Sequence, residues 1–318
     1  MMTVGTGCRV SVIIPAFNSE QFLAEAITSV LSQTYINIEC IVVDDGSTDS
    51  TSLVAEGFRD RIKYVHQENA ERSAARNAGI AIATGDYLSF LDADDSLAVD
   101  KIVDQVYFLE THPEYGAVYS KVRFFREEGE RSFFNLDRPT PTGAVLEQLL
   151  YGNFITVHSP LIRKSAVDTV IGFNRRLSHN EDWEFFLRLA LSGVRFGFID
   201  KYHAFCRMHQ SNTSRDEISM HETKWQVVQQ FVSEHADELH RQGIDTQQVV
   251  SYHEADFGKS LIANGRPDEG RNHIFSASRR SFPQRGKYFL FALLSYVLGQ
   301  KLCARFGGGE YRTGRDEP

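Results

Sequence analysis

A chain of 318 residues suits one large domain, or one domain and an appendage, because single cores stop growing near ~250 to 300 residues. Its 42% hydrophobic and 24% charged residues exclude a disordered or fibrous class, and a net charge of -8 weighs against nucleic acid as the partner. That charge is uneven: residues 270 to 318 hold nine Lys or Arg against three Asp or Glu, a net +6, which leaves -14 for residues 1 to 269.

The elements alternate. Val10 to Pro15 (VSVIIP) is a short, β-branched, nearly continuous apolar run, as expected of a strand covered on both faces. From Ser19 to Gln33, Phe22, Ala26, Ile27, Val30 and Leu31 recur at helical spacing, and Asn18 with Gln21 offers a capping-box-like start. Glu39 to Asp44 predicts the next strand, Ser50 to Phe58 a short helix, Ile62 to His66 a strand, and Glu71 to Ala83 an Ala-rich helix. Tyr87 to Leu91 reads as a fourth strand and Val99 to Glu110 as a helix stopped before Pro113. This alternation implies a mostly parallel sheet with helices on both faces. The second half is less regular: strands over Gly116 to Phe125 and Thr156 to Ile162, helices over Ala144 to Leu150 and Asp182 to Ser192, then a polar helical pattern beyond residue 218.

Ligands of such sheets bind outside the carboxyl ends of the strands, which selects three segments. The first is Pro15-Ala16-Phe17-Asn18, the second Asp44-Asp45-Gly46-Ser47, and the third Asp92-Ala93-Asp94-Asp95. Three carboxylates in four positions repel one another, and a hard divalent cation relieves that repulsion. The plainer reading makes Asp95 or Ser96 a helix cap and the others solvated turn residues; the position at the ligand edge favours the metal. Asp44 and Asp45 precede a Gly-Ser-Thr-Asp turn that can present carboxylates and N–H groups to a nucleoside, or is an ordinary connection with Asp49 as N-cap. Arg76 and Asn77, in SAARNAG, suit a phosphate or base, against a solvated surface Arg. Glu181 and Asp182 open a helix, where acidic residues stabilise the dipole by about 0.3 to 1 kcal/mol and so decide nothing alone. The eleven histidines show no HExxH spacing, and no GxxxxGK phosphate loop occurs.

Together "VSVIIPAFN", "VVDDGSTD", "SAARNAGIAIATGDYLSFLDADD", "GFN" and "NEDWEFFLRLALSG" occur in the order and approximate spacing of the family 2 glycosyltransferases, and residues 1 to 220 resemble that family. The resemblance implies an α/β fold of GT-A type, Rossmann-like, with a mostly parallel sheet flanked by helices. Its nucleotide-binding half would be 1–115 and its acceptor-side half 116–220, followed by a helical C-terminal extension, 221–318. It implies an inverting transferase moving a sugar from a nucleotide-diphosphate sugar, UDP-sugars favoured, to the hydroxyl of a glycan or lipid-linked acceptor in cell-envelope glycan synthesis. By the same resemblance Pro15, Ala16, Phe17 and Asn18 form the first nucleoside loop, Asp45 binds the base, and Arg76 contacts base or phosphate. Asp92 and Asp94 are the DxD pair around Ala93, with Asp94 the direct ligand of Mn²⁺ or Mg²⁺ and Asp92 nearer the ribose. Asp182 matches the catalytic base, and "CRMHQSNTS" resembles the final motif, with Arg207 and His209 near the diphosphate.

Two other classes compete. A sugar nucleotidyltransferase needs a glycine-rich, basic triphosphate loop, and residues 10 to 20 have none. A silent sugar-binding module is opposed by intact Asp92, Asp94 and Asp182.

Cys8, Cys40, Cys206 and Cys303 form no CxxC pair, which suits a reducing, cytoplasmic setting. MMTVGTGCRV lacks the apolar stretch of a secretory signal. The longest apolar run, Tyr288 to Gly299, falls short of the ~18 residues that span a bilayer. Around it, Arg279, Arg280, Arg285, Lys287, Lys301 and Arg305 leave three readings open for 279–305: peripheral contact with the inner face of a membrane, docking on its own domain, or an oligomer interface. The end of the chain, from Gly307, reads as a loose tail.

Overall fold

The computed structural model describes residues 7–128, 130–134, 138–208, 217–280 and 285–298. The chain divides into two compact units, residues 1–149 with 153–210, and residues 150–152 with 211–318.

The first unit begins with β1 (Val10–Ala16), α1 (Leu23–Leu31), β2 (Ile38–Asp44), α2 (Thr51–Glu56), β3 (Ile62–His66), α3 (Glu71–Ile82) and β4 (Tyr87–Phe90). It continues through β5 (Ser96–Leu97), α4 (Lys101–Thr111), β6 (Ala117–Glu128), β7 (Glu130–Phe134), α5 (Leu146–Tyr151, which runs into the second unit), β8 (Leu161–Arg163), α6 (Lys164–Val167), α7 (Glu181–Leu191) and β9 (Phe196–Arg207). One sheet runs β3-β2-β1-β4-β8-β6-β9-β5, with β7 on β6. The first four strands are parallel; β1, β2 and β4 are buried on both faces, and β3 is the more polar edge. Ala16 lies opposite Asp44 and Ile13 opposite Phe90, so the three loops chosen from the sequence leave the same edge. Helix α3 lies close on this sheet: a Cβ at Gly79 would come 2.4 Å from Ile13 Cγ2.

The second half departs from the sequence-based expectation. The strand expected over Thr156 to Ile162 is only β8, antiparallel to β4 and β6, because Ser159 N–H turns back to the Thr156 carbonyl. Strand β9 was not expected, since Asp200 and Lys201 interrupt its apolar pattern; it pairs parallel with β6 and shifts register beside Ser120 to Val122. The capping box at Asn18 and Gln21 does not form. Asn18 adopts φ 47° and its side chain accepts the Thr48 N–H instead, and α1 starts at Leu23. Asp95 and Ser96 start no helix either: Ser96 opens β5, and α4 begins at Lys101.

The second unit is helical: α8 (Glu217–Glu234), α9 (Ala236–Arg241), α10 (Thr246–Ala263), α11 (Pro267–Arg280) and α12 (Arg285–Leu298). Asp245 caps α10 by accepting the Gln248 N–H at 3.0 Å. Helices α10 and α11 meet backbone to backbone at Gly258 and Gly270, where a Cβ on either would lie within 2.6 Å of the other's carbonyl oxygen. Ala255, Ile262, Ile274, Ala277, Tyr288 and Ala292 form a core among α10, α11 and α12. Among the described residues no helix is long and apolar enough to cross a membrane.

Glu39 anchors β2 below this edge. Its Oε1 accepts from Ser11 Oγ, from Thr84 N at 2.6 Å and from Thr84 Oγ1 at 2.9 Å, and Lys63 Nζ lies 2.6 Å from Oε2. Burial works to raise its pKa, but these donors outweigh it and bring the carboxyl down to about 2. A depressed carboxylate contributes stability above its ordinary value of 4.5 that is lost as pH falls toward 2. Glu39→Gln should cost about 1.5–3 kcal/mol at neutral pH and flatten the acid limb of a urea-unfolding series measured against pH.

Candidate functional site

The first two loops are tied to each other before any ligand is considered. Asn18 N–H donates to Ser47 Oγ at 3.0 Å, Ser19 N–H to Thr51 Oγ1 at 2.7 Å and Glu20 N–H to Asp49 Oδ2 at 3.1 Å, while Ser50 N–H returns to Glu20 Oε2 at 2.9 Å. Pro15 and Ala16 sit low in this rim, and Phe17 and Asn18 are exposed on it. Asp44 is fully buried and accepts from Ser47 N, from Tyr64 Oη at 2.6 Å and from His66 Nδ1 at 3.3 Å. Burial opposes its ionisation, yet those donors hold its pKa below the ordinary value. Asp45 is buried too, with Oδ1 accepting from Gln67 Nε2 at 2.6 Å and Ala70 N at 3.0 Å. Gly46, which follows Asp45, has φ 77°, and a Cβ there would come 2.7 Å from Asn69 N, so the turn demands glycine twice over.

The loop after β4 meets the second half of the sheet through α3. Arg76, fully buried, donates from one guanidinium nitrogen to Asp92 Oδ1 and from the other to Glu181 Oε1, each at 2.7 Å, over the Phe173 ring. Burial would lower its pKa, but Asp92 and Glu181 push it up, so it stays charged. Asn77, the next residue, accepts the Phe173 N–H at 2.7 Å and donates to the Phe173 carbonyl at 2.8 Å. The SAARNAG segment therefore joins the DADD loop to the head of α7. Arg76 and Asn77 were expected to meet a base or phosphate; the two terminal nitrogens of Arg76 meet Asp92 and Glu181, and the Asn77 amide meets the Phe173 backbone.

Asp92 is partly exposed; burial works to raise its pKa, and Arg76 followed by His158 brings it below the ordinary value. Ala93 is buried and Asp94 half-buried. Asp95 is buried and held well above the carboxylate range, first by burial and then by the charges of Asp94 and Asp92. It accepts the Arg207 N–H at 2.7 Å and faces His158 Nδ1 at 3.2 Å; His158 Nε2 in turn lies 2.7 Å from Cys206 Sγ. Burial keeps the histidine neutral, with a pKa of about 4, and raises the Cys206 thiol well above its usual range. Asp182 opens α7, with Oδ1 on the Trp183 N–H at 2.7 Å and Oδ2 accepting from Asn153 Nδ2 at 3.3 Å. Burial, then repulsion from Glu181, raises its pKa to about 6.

Arg207, expected beside a diphosphate, is buried between the rings of Phe22 and Phe125 at 4.7 and 4.8 Å. Its Nε donates to the Asp94 carbonyl at 3.0 Å and its terminal nitrogen to Glu25 at 2.5 Å. It holds the loop from beneath. His209 lies outside the described residues. Residues joined to this site that were not singled out from the sequence include Glu25 and His158, which carry no motif, Gln67, which bonds Asp45, and Asn153, which bonds Asp182. Only the ED pair at 181–182 signalled Glu181, and it read equally as dipole chemistry.

Two clusters bring three metal-capable side chains within 4.8 Å of one another among the described residues, Asp95–His158–Cys206 and Asp100–Asp104–His203. In the first, His158 turns Nδ1 toward Asp95 at 3.2 Å and Nε2 toward Cys206 at 2.7 Å, so its two partners meet different ring nitrogens. In the second, Lys201 Nζ occupies the carboxylate of Asp104 at 2.6 Å. Asp94, half-buried beside Asp92 and without a histidine or cysteine in its own segment, offers the hard oxygen donors that suit Mg²⁺ or Mn²⁺.

Replacing Arg76 should be costly. Arg76→Met leaves Asp92 and Glu181 uncompensated and should cost about 3–5 kcal/mol in urea unfolding. Arg76→Lys should restore little of that loss, because one ammonium cannot span the two carboxylates as the planar guanidinium does.

Comparison with known proteins bears on family and fold. An uncharacterised glycosyltransferase of Haemophilus influenzae is 34% identical over 218 residues, 66% of this chain and 83% of that protein. Other relatives are longer, and the chain spans 20% of a Rickettsia conorii glycosyltransferase. The fold is also that of Staphylococcus aureus TarS 1-349 crystallised with UDP-GlcNAc, at a TM-score of 0.64 and 18% identity over 96% of this chain and 93% of that one. A mannosyltransferase of Pyrobaculum calidifontis in complex with GDP-Man and Mn²⁺ matches at a TM-score of 0.59 and 18% identity, over 94% of this chain and 83% of that one. With its α/β fold of GT-A type and the family model of glycosyl transferase family 2 matched over residues 11–170, the chain belongs to that family.

Proposed function

We propose that this protein is a metal-dependent, inverting glycosyltransferase that moves a sugar from a nucleotide-diphosphate sugar, a UDP-sugar by preference, to an acceptor hydroxyl of a glycan or lipid-linked molecule in cell-envelope glycan synthesis. Residues 1–220 carry the reaction and 221–318 form an extension to it. The observation that carries this reading is the Arg76 bridge: it joins Asp92 to Glu181, and Asp182, next to Glu181, is close enough for its proton affinity to respond to the charge of Asp92. The UDP-GlcNAc and GDP-Man found with the two structural neighbours support a nucleotide sugar as donor.

In this reading Asp45 receives the base, with the rim from Pro15 to Asn18 against the nucleoside. Asp94, with Asp92, would hold Mn²⁺ or Mg²⁺, which when bound supplies Lewis acidity for the departing diphosphate. Arg76 and Arg207 act as braces under the loop and not as ligand contacts. Asp182 takes the proton from the acceptor hydroxyl as it attacks the anomeric carbon from the face opposite the diphosphate. A pKa of about 6 suits that task, because the carboxylate is ionised at neutral pH yet more basic than an ordinary aspartate. One displacement inverts the anomeric centre.

The tests separate binding from chemistry. Asp182→Asn should lower kcat by ~10²-fold or more while calorimetry shows donor affinity little changed; full transfer activity would remove Asp182 from the role of base. For the native protein, kcat/KM should fall as pH drops through about 6, the direction expected when a base must be ionised, and Asp182→Glu should move that limb. Chelation of divalent ions should abolish transfer and weaken nucleotide-sugar binding, with added Mn²⁺ restoring both in the native protein but not in Asp94→Asn.

A further inference from the structure

Helix α12 is apolar on two sides, and among the described residues one of them packs into the core of the second unit. Tyr288, Ala292 and Ser295 are buried, the first two in the core with Ala255 and Ile262 of α10 and Ile274 and Ala277 of α11. That packing sets the rotation of the helix. Phe289, Leu290, Leu293 and Leu294 are left 50%, 56%, 44% and 39% exposed, and their spacing puts them on one continuous stripe. Lys287 is exposed on the same helix and Arg279 at the end of α11. Arg280 is also exposed but pairs with Glu254 at 2.6 Å.

We infer that this stripe is a docking face for an anionic lipid surface, with α12 lying in the interface and Lys287 and Arg279 against the headgroups. Charge selects that occupant. Residues 270 to 318 carry a net +6 in a chain whose remainder is -14, so a negative surface attracts the segment that bears the stripe. A second copy meeting the same face would bring like charge against like charge. The 14 described residues of α12 extend ~21 Å, short of a hydrocarbon core of ~30 Å. An amphipathic helix with basic flanks and a bulky apolar stripe has the properties of an interfacial anchor.

The test uses the full chain and flotation with vesicles of phosphatidylglycerol and phosphatidylcholine, against vesicles of phosphatidylcholine alone. Flotation should need the anionic lipid and weaken at high salt. Leu290→Ser with Leu294→Ser should reduce binding about tenfold or more, at an unchanged urea midpoint, because both side chains are substantially exposed. Lys287→Glu with Arg279→Glu should reduce binding and flatten its salt dependence. Donor hydrolysis in solution should persist in every one of these variants, whereas Asp182→Asn should float normally, so the anchoring inference and the donor-site reading fail separately. Equal flotation on both vesicle types, or native binding by the Leu290/Leu294 variant, overturns the inference. So does a concentration-dependent dimer in sedimentation velocity that the same variant abolishes without vesicle binding, for then the stripe meets a second copy.

Discussion

The buried guanidinium of Arg76 is the interaction on which the site rests. An Arg held away from water is tolerated only when its charge is met, and here two carboxylates from distant parts of the chain meet it, Asp92 from the loop after β4 and Glu181 from the head of α7. Each carboxylate is in turn stabilised by the guanidinium it holds. Removal of Arg76 leaves two uncompensated carboxylates beside Phe173, whose ring packs edge-on with Phe90 and stacked with Phe185. The triad therefore couples the parallel half of the sheet to the half built from β6, β8 and β9.

The same economy governs the charges around it. Asp95 cannot share the ionised state of Asp92 and Asp94 at ordinary cost, so it is turned inward to the Arg207 backbone and the His158 ring. Arg207 closes the loop from beneath by taking the Asp94 carbonyl, with its own charge met by Glu25 and two aromatic faces. Asp92 of the DADD run is thus paired with Arg76 and Asp95 is turned inward, and the proposed metal falls to Asp94 with Asp92. That division of labour is what the proposed metal and diphosphate chemistry requires.

Much of the first half was legible in the sequence because its signals are local. Continuous β-branched runs, helical spacing and glycine-bearing turns reflect the conformational preferences of each short segment, and β1 to β4 with their helices follow them. The second half follows long-range pairing: β8 is three residues long, and β9 contains Asp200 and Lys201 inside a twelve-residue strand. No local pattern announces either, since their backbone hydrogen bonds are satisfied by β4 and β6, which lie far away in the chain.

The ligand edge, the crowding of Asp92, Asp94 and Asp95, and the family itself were determined by the sequence alone, because strand polarity and short-range motif order are written in consecutive residues. What only the tertiary structure decided is who neutralises whom. Nothing near Arg76 in the chain says that it faces Glu181, 105 residues on, and a surface arginine would share the same letters. The partner of a buried charge is chosen by the path of the backbone between the two groups, and that path exists only once the sheet has closed.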